Sequence, residues 1–185
     1  MSALFTSSGF TQSGSVTTYS GSVIDVKAWP PFLRVLLTTD GTVTKSLEAF
    51  FWEEVAVVSM AQRNVDLHRD EPAIGCRRGD GVLYRRVQLH GRSSQRCYAE
   101  AESFILTQCL PEPLRGALAS GKMGIGEILR ESGLETYREI LDLGEAHGPV
   151  AGAEQRYVWR LYRILMNGTP VMQITERFPL VVYTN

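Results

Sequence analysis

Apolar positions are sparse at the start of the chain, take a helical period next, and then switch to a strand period. From Met1 to Ser22 the residues are mostly Ser, Thr and Gly, and residues 1–28 read as a polar arm, either a tail or a loosely attached strand, ahead of a domain over 29–185. Order begins at Pro30-Pro31, since proline suits a first helical turn. Phe32, Leu33, Leu36 and Leu37 recur at helical spacing until Asp40-Gly41 stops the run, and a second short helix is predicted over Thr44 to Phe51. Val55 to Gln62 is valine-rich and extended. Two further strand-like runs, Val82 to His90 and Arg96 to Leu106, flank the hairpin turn Gly91-Arg92-Ser93-Ser94.

Leu110-Pro111-Glu112-Pro113 opens a helix to about Ala119, and Gly124-Ile125-Gly126 leads into another that ends near Ser132-Gly133. Thr136 to Leu143 and Tyr157 to Met166 are strands, and Asn167-Gly168-Thr169-Pro170 turns the chain into the last one, Val171 to Phe178. Six strands with short turns and interspersed helices predict an α+β fold: a single six-stranded antiparallel sheet, with short helices covering one buried pocket.

Alternate residues of a strand point to opposite faces, so each strand divides into two sets. In the last strand Met172, Ile174, Glu176 and Phe178 share a face, which puts Glu176 on the apolar side. In the strand from Val82, Leu83, Arg85, Val87 and Leu89 fall together, while Tyr84, Arg86, Gln88 and His90 oppose them. An inward acid and an inward base each need a partner or a polar cavity, because burying either alone costs several kcal/mol. Either the two form an internal salt bridge, or they mark a pocket. An arginine fork suits a carboxylate, and a carboxylate in apolar surroundings accepts from a hydroxyl or exchanges a proton. Such a pocket fits a small, flat acid with a hydroxyl at its far end. Gly124-Ile125-Gly126 is either a tight turn or an anion site built on the Ile125 backbone.

Composition narrows the classes. The 185 residues are 44% hydrophobic and 21% charged, enough for one domain with a core. With 19 basic and 20 acidic residues the net charge is −1, which disfavours nucleic acid as a partner. Cys76, Cys97 and Cys109 have no CxxC spacing, and His68, His90 and His147 are isolated, so neither a disulfide framework nor a zinc site is expected. No apolar run nears the ~20 residues of a membrane helix, and the first 22 residues lack the pattern of a secretory signal. A cytoplasmic protein with no membrane partner, monomeric or weakly dimeric, is the expectation. Trp29, Phe32, Phe50, Phe51 and Trp52 are expected to pack helices onto the sheet. Cys97, Ala99, Ala101 and Ser103 form a small-residue face, read as pocket floor or helix seat, and Arg77-Arg78 reads as a solvated loop.

Five segments over roughly residues 30–180 carry a resemblance: LLTTDGTVTKSLEAFF, LYRRVQLHG, YAEAESFILTQCLP, MGIGEILRESGLETYRE and, most specifically, RLYRILMNGTPVMQITERFP. With these the chain resembles the chorismate lyase family, in its divergent branch: chorismate pyruvate-lyases that release 4-hydroxybenzoate and pyruvate. The resemblance implies helical flaps over a buried site, an active-site arginine at Arg85, an essential glutamate at Glu176, and backbone contacts from Val43, Ile125 and Gly126. It places Glu102 where enterobacterial members carry an arginine. The implied substrate is chorismate, used without metal or organic cofactor in aromatic, quinone-type biosynthesis. Two other classes compete: a non-catalytic small-molecule-binding module of the same fold, as in transcription regulators, and a lyase acting on a related enolpyruvyl or aryl acid. A regulator normally carries a winged helix-turn-helix, which the polar arm cannot form.

Overall fold

Local pattern and long-range pairing agree on a single six-stranded sheet. The computed structural model describes residues 14–18, 21–121 and 123–184. The elements run β1 (Ser15–Thr17), β2 (Val23–Asp25), α1 (Pro31–Thr38), α2 (Val43–Phe51), β3 (Val55–Asp66), β4 (Gly81–Gly91), β5 (Cys97–Ile105), α3 (Glu112–Ala119), α4 (Ile125–Ser132), β6 (Thr136–Val150), β7 (Ala153–Met166) and β8 (Thr169–Pro179). The large sheet has the order β3-β4-β5-β8-β7-β6, with every neighbouring pair antiparallel. The fold is therefore the expected α+β class. No helix among the described residues is long and apolar enough to cross a membrane.

Three local features depart from the sequence reading. β6 and β7 are longer than expected and meet at Ala151-Gly152, where φ is +54° and +81°. Positive φ at both central positions is the twist a two-residue hairpin needs, and Asn167-Gly168, at +50° and +76°, repeats it between β7 and β8. The part of the polar arm that is described forms the β1–β2 hairpin, whose Val16 joins Val26 and Trp29 in the core; residues 1–13 and 19–20 lie outside the described residues. Trp52 does not pack: it closes α2 in a left-handed conformation and is 88% exposed, while Trp29, Phe32 and Phe51 pack as expected.

The inner face of the sheet divides into rows running across the strands. Val87, Ala101, Glu176 and Arg160 make one row, and Arg85, Ser103, Ile174 and Tyr162 make the next. On one side of them, Leu89, Ala99, Phe178 and Val158 pack with Leu33, Leu36 and Leu37 of α1 and with Val43 and Leu47 of α2. On the other, Ile105, Met172, Ile164 and Met166 pack with Leu114 and Leu118 of α3 and with Ile128 and Leu129 of α4. Burying leucine-sized side chains contributes about 1.5–3 kcal/mol each, so each helix pair clamps its own end of the sheet. The polar rows fall at the seam between the two apolar clusters.

Candidate active site

A cavity lies over that seam. It is lined from the sheet by Arg85, Val87, Ala101, Ser103, Arg138, Tyr162, Ile164, Ile174 and Glu176, and from the helices by segments 41–44 and 124–126. All five residues singled out by sequence, Arg85, Glu176, Val43, Ile125 and Gly126, border this space. Strand alternation is why the first two reach it. The other three arrive because α2 and α4 both begin at the cavity, and the first amides of a helix have no partner within it. Two helix N-termini thus add partial positive charge to the cavity wall.

Arg85 and Glu176 are not each other's partner, which removes the internal salt bridge as an explanation of their burial. Arg85 is 2% exposed, and its Nη2 donates to the carbonyls of Met123 at 2.6 Å and Gly121 at 3.5 Å. Its Nε is buried without an acceptor, and among the described residues no carboxylate pairs with it. Burial lowers its pKa from the usual arginine range, and no neighbouring charge counters that effect.

Glu176 is fully engaged from behind. Arg160 Nε donates to its Oε2 at 2.7 Å, and the Tyr162 hydroxyl donates to its Oε1 at 3.1 Å. Arg160 is itself buried, and its Nη1 donates to the carbonyls of Leu36 at 2.5 Å and Thr39 at 2.6 Å, at the C-terminal end of α1. A guanidinium satisfies a helix C-terminus by charge and by geometry together. Burial pushes the Tyr162 phenol far above its ordinary pKa, and the adjacent Glu176 adds to the effect, so Tyr162 stays a donor.

Arg160 and Tyr162 were missed because alternation was not carried along β7. Val158, Arg160, Tyr162, Ile164 and Met166 are its buried set, an apolar face interrupted by one arginine, as legible as the set holding Arg85.

Two expectations fall away from the site. Glu102 is on the opposite face of β5 and pairs with Arg177 at 3.1 Å, so it does not alter the cavity. Ala101 and Ser103 are cavity floor, and Ala99 seats the α1–α2 cluster. Cys97 is neither: a bulge between Leu89 and His90 moves it opposite His90, off the face of its apparent neighbours. Among the described residues no three His, Cys, Asp or Glu side chains cluster as metal ligands do.

The chain matches the family described as chorismate pyruvate-lyase, Rv2949c-like, over residues 37–184. It belongs to that family. It is 32% identical over 153 residues to the chorismate pyruvate-lyase of Mycobacterium leprae, covering 79% of this chain and 73% of that one. The Mycobacterium tuberculosis protein of the same name is 31% identical over 156 residues, at 79% and 78% coverage. In three dimensions the chain is similar to the effector domain of PhnF from Mycobacterium smegmatis, with a TM-score of 0.54, 13% identity, and coverage of 75% and 88%. That likeness shows the fold alone. Within the Rv2949c-like family frame, the divergent branch read from the sequence motifs is the right one.

Proposed function

We propose that this protein is a chorismate pyruvate-lyase that converts chorismate to 4-hydroxybenzoate and pyruvate. The observation that carries the reading is Arg85: a buried guanidinium with no acidic partner among the described residues, facing a cavity across from a carboxylate already held in place. An uncompensated buried charge costs stability, and a ligand carboxylate is the counter-charge that fits an arginine fork. In this reading Arg85 and the first amides of α4 take the ring carboxylate, and Glu176 accepts from the 4-hydroxyl. Arg160 and Tyr162 act as positioning residues, fixing the carboxylate of Glu176 as an acceptor aimed at the cavity.

The chemistry then asks little more of the chain. The proton on ring carbon 4 is lost, the ether bond between ring carbon 3 and the enolpyruvyl oxygen breaks, and the diene becomes an aromatic ring. The enolpyruvyl fragment gains that proton and leaves as pyruvate, so atoms and electrons balance within the substrate. Aromatisation supplies the driving force, and orientation in a largely dry site lowers the barrier.

The test is incubation of purified protein with chorismate, with pyruvate and 4-hydroxybenzoate assayed separately. Equal yields of both support the proposal. Absence of both would overturn it in favour of a binding module, and pyruvate with a different aromatic product would move it to a related lyase.

A further inference from the structure

The cavity carries one more positive charge than a single carboxylate can use. Glu176 is matched by Arg160 behind it. That leaves two guanidiniums on the cavity wall, Arg85 from β4 and Arg138 from β6, with no ion pair to either among the described residues. Arg138 is half-buried, and its Nη1 donates to the Asp40 carbonyl at 2.7 Å, in the turn that leads into α2. Its neighbour Glu139 is occupied elsewhere, by Arg163 at 2.7 Å. Glu127, the acid in the first turn of α4, does not line the cavity.

The two arginines stand on either side of the same helix start. Arg85 Nη2 rests on the Met123 carbonyl, just before α4, while a methyl added at Gly126 would lie 3.7 Å from Arg138 Nη2. Arg85 and Arg138 sit on strands separated by β5, β8 and β7, so they reach the cavity from opposite ends of the same sheet face. One carboxylate between them would leave one guanidinium without a counter-charge, whereas two separated carboxylates match both forks.

We infer that Arg138 is a second anion subsite, which takes the carboxylate of the side chain that leaves while Arg85 takes the carboxylate on the ring. This rests on the lyase reading above and adds a specificity rule to it. The substrate, a dianion, uses both arginines, and the aromatic product, a monoanion, uses only Arg85. Once the ether bond breaks, the Arg138 contact belongs to pyruvate alone, so the aromatic product is held by fewer contacts than the substrate was, without any movement of the sheet.

The experiment compares wild type with Arg138→Gln and Arg138→Lys. For Arg138→Gln the KM for chorismate is expected to rise about ten- to a hundredfold, the range of a hydrogen bond to a charged group. Inhibition by 4-hydroxybenzoate is expected to change less than about twofold, against that same standard, and Arg138→Lys to recover part of the KM. Equal weakening of substrate and product, or of neither, would overturn the inference. Calorimetry with 3-(carboxymethoxy)benzoate and 3-methoxybenzoate separates this from the fate of the lyase reading. Wild type is expected to prefer the dicarboxylate and Arg138→Gln to lose that preference, whether or not chorismate is turned over. A wild type that binds neither probe, or both alike, would sink the second subsite.

Discussion

Two buried charges on opposite faces of one sheet are treated in opposite ways. Glu100, on the outer face, has no exposed surface and is saturated: Arg86 donates to Oε1 at 2.9 Å, Gln88 to Oε2 at 3.0 Å and the Ala151 amide at 3.3 Å, with Arg177 3.7 Å away. Arg85, on the inner face, is nearly as buried and has two carbonyls and an orphaned Nε. A saturated buried charge is explained by the fold that holds it. An unsaturated one is explained by what the fold leaves room for, and here that room is the cavity. Glu176 stands between the two cases, neutralised by Arg160 yet still facing the open space.

The sharpest way to break this contrast is Arg85→Met. Turnover of chorismate is expected to fall about a hundredfold or more, as on removal of a positioned charge donor. Thermal unfolding should show a midpoint unchanged or raised, because a poorly compensated buried charge has gone. A variant that turns over normally, or that unfolds as a saturated ion would, erases the distinction.

Glu176→Gln should show both characters at once. The rate is expected to fall about a hundredfold, and stability by about 3 kcal/mol, because Arg160 keeps its charge and loses its counter-ion. Adding Arg160→Met should restore part of the denaturation midpoint, less what the uncapped Leu36 and Thr39 carbonyls cost, and none of the rate. Recovery of both would make the pair purely structural.

Glu100→Ala should be the mirror image of Arg85→Met. Stability is expected to drop by about 2 kcal/mol, toward the lower range for buried pairs because Arg86 reaches solvent, with kcat unchanged per folded molecule. The Glu100 contribution also has a pH signature. Burial raises its pKa, but the bonds from Arg86 and Gln88 together outweigh burial and leave it lowered. A carboxyl with a lowered folded pKa stabilises the fold above its unfolded value and loses that contribution as pH falls toward the folded one. Urea midpoints of wild type and Glu100→Gln should therefore converge as pH is lowered below about 4.5, the ordinary value for a glutamate carboxyl. A constant gap would contradict the ion-pair account.

The smallest effect concerns the cysteines. Burial pushes the Cys97 thiol up to about 11, and burial also raises Cys76, while Cys109 is exposed. At pH 8 a thiol reagent should label Cys109 rapidly and the other two only on unfolding. Rapid labelling of Cys97 would mean that the bulge at its start of β5 opens readily.

How legible all this was in the chain depends on distance along it. Local alternation decided that Glu176 and Arg85 face inward, while the short turns argued for an antiparallel sheet and the glycine-marked turns placed the starts of α2 and α4. The same counting would have found Arg160 had it been carried along β7. The Asn167-Gly168 turn makes β7 and β8 hairpin neighbours, so Arg160 opposite Glu176 was also within reach of that counting. It could not have shown that Arg85 is left without an acid among the described residues, since β4 meets β8 only through β5, in an order that no local pattern gives. Nor could it have moved Cys97 off its face, because a bulge is a mismatch between two strands and belongs to neither alone.

What the amino-acid order determined by itself was therefore the face on which each charge sits, a property of one strand and a two-residue period. Which charges cancel, and which are left facing a space that only a ligand can fill, was decided by the tertiary structure. Electrostatic compensation acts through distances of a few ångströms between residues far apart in the chain, and only the folded register brings them that close.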